Sequence, residues 1–278
     1  MTSPDPAGAR TFRQLHASGL LILPNVWDAG SARLVESLGA RALATSSAAV
    51  AWAHGYPDGD LLPVPLLAAT VAEIRRVATL PLSVDVEGGY STDPAGVAET
   101  VARVVDAGGV GINLEDGTSE PHLLCAKIEA ARQSARRLGV ELFVNARTDV
   151  YLRNLAPPER RIAETLARAE QYRSAGADGI FVPGVVESEQ IRAVAQGVRL
   201  PLNVLARAGL PDAARLEALG VRRLSAGSGI AQAVFGRIAA LASGFMKTGA
   251  SDPLGEGAMP YAEINALIGA GPQGARRP

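Results

Sequence analysis

Pro158-Glu-Arg-Arg-Ile-Ala-Glu-Thr-Leu-Ala-Arg-Ala-Glu-Gln-Tyr-Arg-Ser-Ala-Gly-Ala-Asp-Gly-Ile-Phe-Val182 holds one complete helix-to-strand unit. Ile162, Leu166, Ala169 and Tyr172 recur at helical spacing with charged residues on the other face, the pattern of a helix that buries one stripe. Gly176 closes that helix, and the apolar run 179–182 follows directly as a strand. The same helix–glycine–strand punctuation appears at Leu38-Gly39-Ala40, Ala107-Gly108-Gly109 and Leu219-Gly220-Val221. Further strands are expected at 20–23, 42–45, 82–85, 109–114, 141–145, 200–204 and 222–225. Helical patterns begin near Ser31, Pro65, Pro94, His122, Pro158, Ser188, Asp212 and Gly229. Eight strand-then-helix units imply parallel strands joined by helical crossovers, and eight is the number that closes a barrel. The rival is an open doubly wound sheet, which often carries a glycine-rich phosphate turn after its first strand. Here that turn reads Pro24-Asn-Val-Trp-Asp-Ala-Gly-Ser31, without the glycine pattern.

The expected fold is therefore α/β, a (β/α)8 TIM-type barrel forming a single domain over 13–245. Residues 1–12 read as a mobile arm or a short leading helix. Residues 246–278 read as a C-terminal extension with a helix around Tyr261-Ala262-Glu263-Ile264 and a disordered end over 271–278.

The chain has 278 residues, a length typical of one such barrel. A net charge of −1 gives no electrostatic reason to expect nucleic acid or an anionic membrane as partner. No apolar run is read as reaching a bilayer span, and 1–13 has no signal-peptide core. One cysteine, Cys125, excludes an internal disulfide and fits a reducing cytoplasm, and three scattered histidines disfavour a zinc site. Cys125 sits in an apolar helical context and is read as packing.

In such a barrel the chemistry sits where strands end. The third strand ends in Asp85-Val86-Glu87-Gly88-Gly89-Tyr90, the fourth in Leu114-Glu115-Asp116, the fifth in Ala146-Arg147-Thr148-Asp149 and the second in Thr45-Ser46-Ser47-Ala48. Asp85 and Glu87 are two apart on one strand and are expected to point the same way, with Glu115 beside them. Carboxylates converging on a barrel mouth repel one another unless a cation lies between them. Oxygen ligands favour Mg²⁺, Mn²⁺ or Ca²⁺ over zinc. Arg147 offers a planar fork for a substrate carboxylate or, alternatively, a salt bridge to Glu115. The Ser46–Ala48 backbone could cradle an anionic oxygen or simply make a turn.

With these pieces in order, joined by Gly55-Tyr56-Pro57-Asp58 and Ala175-Gly176-Ala177-Asp178, the chain resembles the isocitrate lyase/phosphoenolpyruvate mutase superfamily over about 12–245. The resemblance implies a Mg²⁺ (or Mn²⁺) site for 2-oxo acids or their enolates. In it Asp85 is the main metal ligand, Glu87 stands where many members have a second aspartate, and Glu115 and Asp58 hold the metal, often through water. Arg147 binds substrate, and Ser46, Ser47 and Ala48 bind a carboxylate or phosphonate. It also implies a homodimer or homotetramer in which the last barrel helix swaps between subunits. The lyases' Lys-Lys/Arg-Cys-Gly-His loop is absent; the segment here reads Gly117-Thr-Ser-Glu-Pro-His-Leu-Leu-Cys125. Pro183-Gly184 replaces the lyases' Pro-Glu, and the mutases' longer gating loop is missing. The expectation is a carbon–carbon lyase or decarboxylase acting on a small di- or tricarboxylate. Its proton donor would be Tyr90, His54 or a metal-bound water. Alternatives are phosphonate P–C chemistry, C–C hydrolysis, and a barrel that binds 2-oxo acids without turnover.

Overall fold

The computed structural model describes residues 4–271. All eight expected strands are present, shifted by two residues or fewer at either end. They are β1 Leu21–Leu23 with its continuation β2 Asn25–Val26, then β3 Leu43–Thr45, β4 Leu82–Asp85, β5 Gly111–Glu115, β6 Phe143–Arg147, β7 Gly179–Phe181, β8 Leu202–Leu205 and β9 Val221–Ser225. Every pairing is parallel. Pro24, which has no N–H to give a ladder, splits the first strand. Its first half pairs with β9 and its second with β3, so the two ends of the sheet meet there and the barrel closes.

The helices are α1 Pro6–Gln14, α2 Ala29–Ser37, α3 Ser47–Ala53, α4 Val64–Val77, α5 Pro94–Asp106, α6 Pro121–Arg137, α7 Arg161–Ser174, α8 Ser188–Gly197, α9 Ala213–Ala218, α10 Gly229–Thr248, α11 Asp252–Gly255 and α12 Tyr261–Gly269. Outward-facing strand residues such as Val84, Ile112, Leu114 and Val144 are fully buried beneath the helical ring. Of residues 1–12, those from Pro6 onward belong to helix α1, and 1–3 lie outside the described residues. Phe12 of α1 is fully buried and meets Phe143 edge-on at 5.4 Å, stopping the N-terminal end of the barrel. The expectation of disorder over 272–278 lies outside the described residues, and Gly271 itself closes a turn.

The barrel interior is polar towards its C-terminal end. Asn145 donates to Asn113 at 2.9 Å, and Arg223 reaches Asn113 at 3.4 Å. β9 and β5 are not neighbours, so the second bond spans the interior. Arg223 is fully buried, with Phe12 beneath it.

One sequence expectation needs correction. α10 is long and apolar enough by length and composition to cross a membrane, although no apolar run was read as reaching that length. Its alanines and larger apolar residues raise the mean hydropathy while Arg237 and Lys247 interrupt the run. Only Ala231 of α10 is buried.

Candidate active site

Asp85 ends β4 with its carboxylate on the floor of a cavity of about 180 Å³. Ser46, Ser47, Ala48, Asp58, Arg147 and Phe181 are among the groups that line it. Three consecutive structural decisions put Asp85 there. Thr45 Oγ1 accepts from the Asp85 N–H at 2.8 Å and fixes the strand end. Ser46 then caps α3, which turns the chain so that the Ser47 N–H points at Asp85 Oδ2, 3.4 Å away. The Glu87 N–H approaches Oδ1 at the same distance. A buried carboxylate normally gathers short, charge-assisted bonds, whereas these two approaches are long. Burial raises the proton affinity of Asp85, and Arg147 opposes that rise.

Glu115 projects from the end of β5, across from Arg147 on β6 in the strand register. Burial pushes Glu115 up to about 8, against the pull of Arg147, and the neighbouring Asp85, Asp149 and Glu87 add to the rise. Arg147 is more occupied than the sequence suggested. Its Nε and Nη2 grip both oxygens of Asp149, at 2.7 and 3.1 Å, and Nη1 pairs with Glu115 Oε2 at 2.5 Å. The salt-bridge reading of Arg147 therefore holds, while its guanidinium also forms part of the cavity wall and lies 5.9 Å from the Phe181 ring. Asp149, with no exposed surface, is a site residue the sequence reading left unassigned. The signal was its spacing, two residues beyond Arg147 in the same short motif.

Glu87 departs from the expected geometry. The strand ends at Asp85 and Glu87 takes a positive φ of 51°, so the two side chains do not share a face. Alternation applies only while the backbone stays extended. Glu87 turns away to a second cleft of about 380 Å³, which it lines together with Tyr90, Glu115 and Lys127. Its Oε2 accepts from the N–H groups of Gly59, at 2.8 Å, and Asp60, and its Oε1 accepts from the Tyr90 hydroxyl at 2.9 Å. Burial and the surrounding carboxylates hold the Tyr90 phenol well above its usual range, so it stays protonated. His54 is bonded to Thr70 Oγ1 at 2.8 Å and lines neither space.

The remaining residues of the motifs brace the barrel. Asp116 takes bonds from Arg168, Tyr172 and the Asp149 N–H, tying β5 to α7. Asp178 pairs with Arg13 and Arg132 at the opposite end. Cys125 is half-buried against the core, where burial raises its thiol, in keeping with a packing role. Asn25, Asn113 and Ser225 also line the cavity and were not singled out from sequence. Asn113 was legible as a polar residue two before Glu115 on the same strand face.

The donor set fits a hard divalent cation at Asp85, because its half-buried carboxylate faces the cavity with only two long N–H contacts. Among the described residues no three acidic, histidine or cysteine side chains stand close enough together to hold an ion. Asp85 and Asp58 are the carboxylates among the described residues that line the cavity, Asp85 at the end of β4.

Comparison with known proteins agrees with this architecture. The phosphoenolpyruvate phosphomutase family model matches residues 12–246. An uncharacterised protein of Mycobacterium tuberculosis is 36% identical over 93% of this chain and 96% of its own length. The oxaloacetate decarboxylase of Pseudomonas fluorescens SBW25 is 32% identical over 79% of this chain and 78% of its own. A crystal structure from Burkholderia cenocepacia J2315, provisionally named a phosphonomutase, superposes with a TM-score of 0.80 at 45% identity, covering 86% of this chain and all of that one. The chain belongs to the phosphoenolpyruvate phosphomutase family.

Proposed function

We propose that this chain is a carbon–carbon lyase that decarboxylates a small 2-oxo dicarboxylate of the oxaloacetate kind. The observation that carries this reading is the sparsely bonded Asp85 carboxylate on the cavity floor, between the Ser47 N–H and Arg147. The likeness to an oxaloacetate decarboxylase over most of the chain supports it. Mg²⁺ or Mn²⁺ would be held by Asp85, with Glu115 and Asp58 acting through water; Glu87, whose oxygens are taken by Gly59, Asp60 and Tyr90, is not counted among the ligands. When bound, the ion supplies positive charge where the keto oxygen becomes negative.

The protein's own groups do the rest. The 2-oxo acid head lies against Asp85, with the Ser46–Ala48 backbone taking a carboxylate oxygen. Arg147 is held rigid by Asp149 and Glu115 and forms part of the cavity wall, where it orients the substrate and faces the developing charge. Leu152, Phe181 and Leu205 form an apolar side of the same cavity. A departing carboxylate that becomes neutral CO₂ suits that side better than a charged group that must stay. Tyr90, the protonated phenol beside Glu87, is the protein group proposed to return a proton, relayed through water from the adjoining cleft.

A thermal-shift series with oxaloacetate, pyruvate and 2-oxoglutarate, in Mg²⁺ and in EDTA, tests the binding half of this reading. A Mg²⁺-dependent rise in Tm that vanishes in Asp85→Asn is expected. No shift with any of the three acids would remove the basis for the site.

The same reading extends to assembly. The exposed apolar side chains Val234, Phe235, Ile238, Phe245 and Met246 on α10 are proposed to pack on a second copy of the chain, with the helix exchanged between subunits. Arg237 lies mid-helix, a position that costs about 3 kcal/mol in a bilayer and favours a protein partner instead.

A further inference from the structure

We propose that Glu87 is a positioning residue, a clasp between two βα loops that sets Asp58 at the rim of the substrate cavity. This replaces the metal role that the family resemblance implies for Glu87, and it does not depend on which acid is the substrate. Three observations carry it. The first is where the carboxylate is bonded. Oε2 takes two consecutive backbone N–H groups, those of Gly59 and Asp60, and Oε1 takes the Tyr90 hydroxyl. Consecutive N–H groups aimed at one anionic oxygen make a small anion nest, and a carboxylate in it gains charge-assisted bonds.

The second is reciprocity. Asp60, on the loop being held, accepts the Tyr90 N–H at 3.0 Å through its own carboxylate. Each loop thus offers an acid to the other loop's backbone. Asp58, next to the nest, lines the substrate cavity, while Gly59 and Asp60 line the cleft on Glu87's side. The nest lies at the boundary between the two spaces.

The third is strain at the clasp. Asp60, Glu87 and Tyr90 have φ of 60°, 51° and 58°, a region that non-glycine residues enter at a cost. Such conformations persist when surrounding bonds over-determine them, and every bond of the clasp involves at least one of the three. A Cβ at Gly88 would stand 2.6 Å from Asp60 Oδ2, so a side chain there would force the Asp60 carboxylate to shift. Lys127 Nζ donates to Gly88 O at 2.6 Å and holds the turn from behind. A glutamate rather than an aspartate makes the reach possible, because the extra methylene carries the carboxylate over to the other loop.

Two variants and two readouts test this. Backbone amide exchange at Gly59 and Asp60 is followed in metal-free protein, and Mn²⁺ affinity is measured by titration, both with folding checked by Tm. In Glu87→Asp, exchange at both amides should rise at least about tenfold, while Mn²⁺ affinity stays within about threefold of wild type. Glu87→Gln keeps an acceptor oxygen at full reach and should restore most of the protection, a rescue that a metal ligand would not show. Asp85→Asn should do the reverse, weakening Mn²⁺ and leaving the two amides protected. Unchanged exchange in Glu87→Asp would overturn the clasp, as would a loss of Mn²⁺ affinity in Glu87→Gln as large as in Asp85→Asn. If wild type binds no Mn²⁺, the function reading fails on its own and the exchange comparison still decides the clasp.

Discussion

Asp85 and Glu87 lie two residues apart and differ by one carbon of length, yet they face different spaces. The proposed chemistry centres on Asp85, which lines the cavity. Asp85→Asn removes the charge while keeping size and shape, and turnover of a 2-oxo dicarboxylate should fall by at least about 100-fold with little change in Tm. Steady-state kinetics beside a melting curve reads both. Arg147→Lys tests the other wall. Lysine cannot bridge both oxygens of Asp149, so a fully buried carboxylate loses its fork. Stability should drop by about 2 kcal/mol in urea unfolding, together with a rise in KM.

His16 gives a pH prediction at the same scale. Burial, with Arg223 nearby, lowers it to about 3, so it is neutral in the folded protein, and its Nδ1 carries the proton that Phe12 O accepts at 2.8 Å. An unfolded histidine takes up its proton near the ordinary value of 6.5. Between those values the unfolded chain binds more protons. The stabilising contribution is therefore complete above about 6.5 and is lost as pH falls towards 3, by up to about 1.4 kcal/mol per unit. Wild type should lose more stability than His16→Gln between pH 7.5 and 5.5. Equal losses would mean that His16 protonates in the folded state.

At the scale of elements, the sequence carried most of the barrel and missed particular pieces for physical reasons. Glycine punctuation and helical period located all eight strands. They did not reveal α3, because Ser47–Ala53 is buried on five of its seven positions and has no polar face to set a period. They also read Asn25 and Val26 as turn, because Pro24 breaks the ladder without ending the strand. The site was legible as a set of strand ends. Which side chains meet was not, since that depends on the backbone leaving the extended region at Glu87 and on Asp149 competing for Arg147. α1 was readable as a helix from its pattern, but its role as barrel stopper needed the fold. Phe12→Ala should cost about 3–5 kcal/mol by opening a void beneath Phe143 and Arg223. Chemical denaturation measures it, and a change under 1 kcal/mol would show that α1 does not close the barrel.

For the whole molecule, the question is what covers α10. A barrel of this design leaves each strand's helix on the outer ring, yet the eighth carries its large apolar groups in the open. Exchange with a second copy would bury them. Light scattering coupled to size-exclusion chromatography should give a dimer or tetramer, shifted towards monomer in the Phe235→Asp/Ile238→Asp variant. A wild-type monomer would end the exchange reading without touching the active site.

The central claim is that the cavity around Asp85 turns over a 2-oxo dicarboxylate, and the most direct test is pyruvate release from oxaloacetate. The assay compares wild type, Asp85→Asn and a protein-free blank at equal Mg²⁺, with EDTA added to a parallel set. The account predicts release well above the blank for wild type only, abolished by EDTA. Release at the blank rate by wild type, or at the wild-type rate by Asp85→Asn, would contradict it.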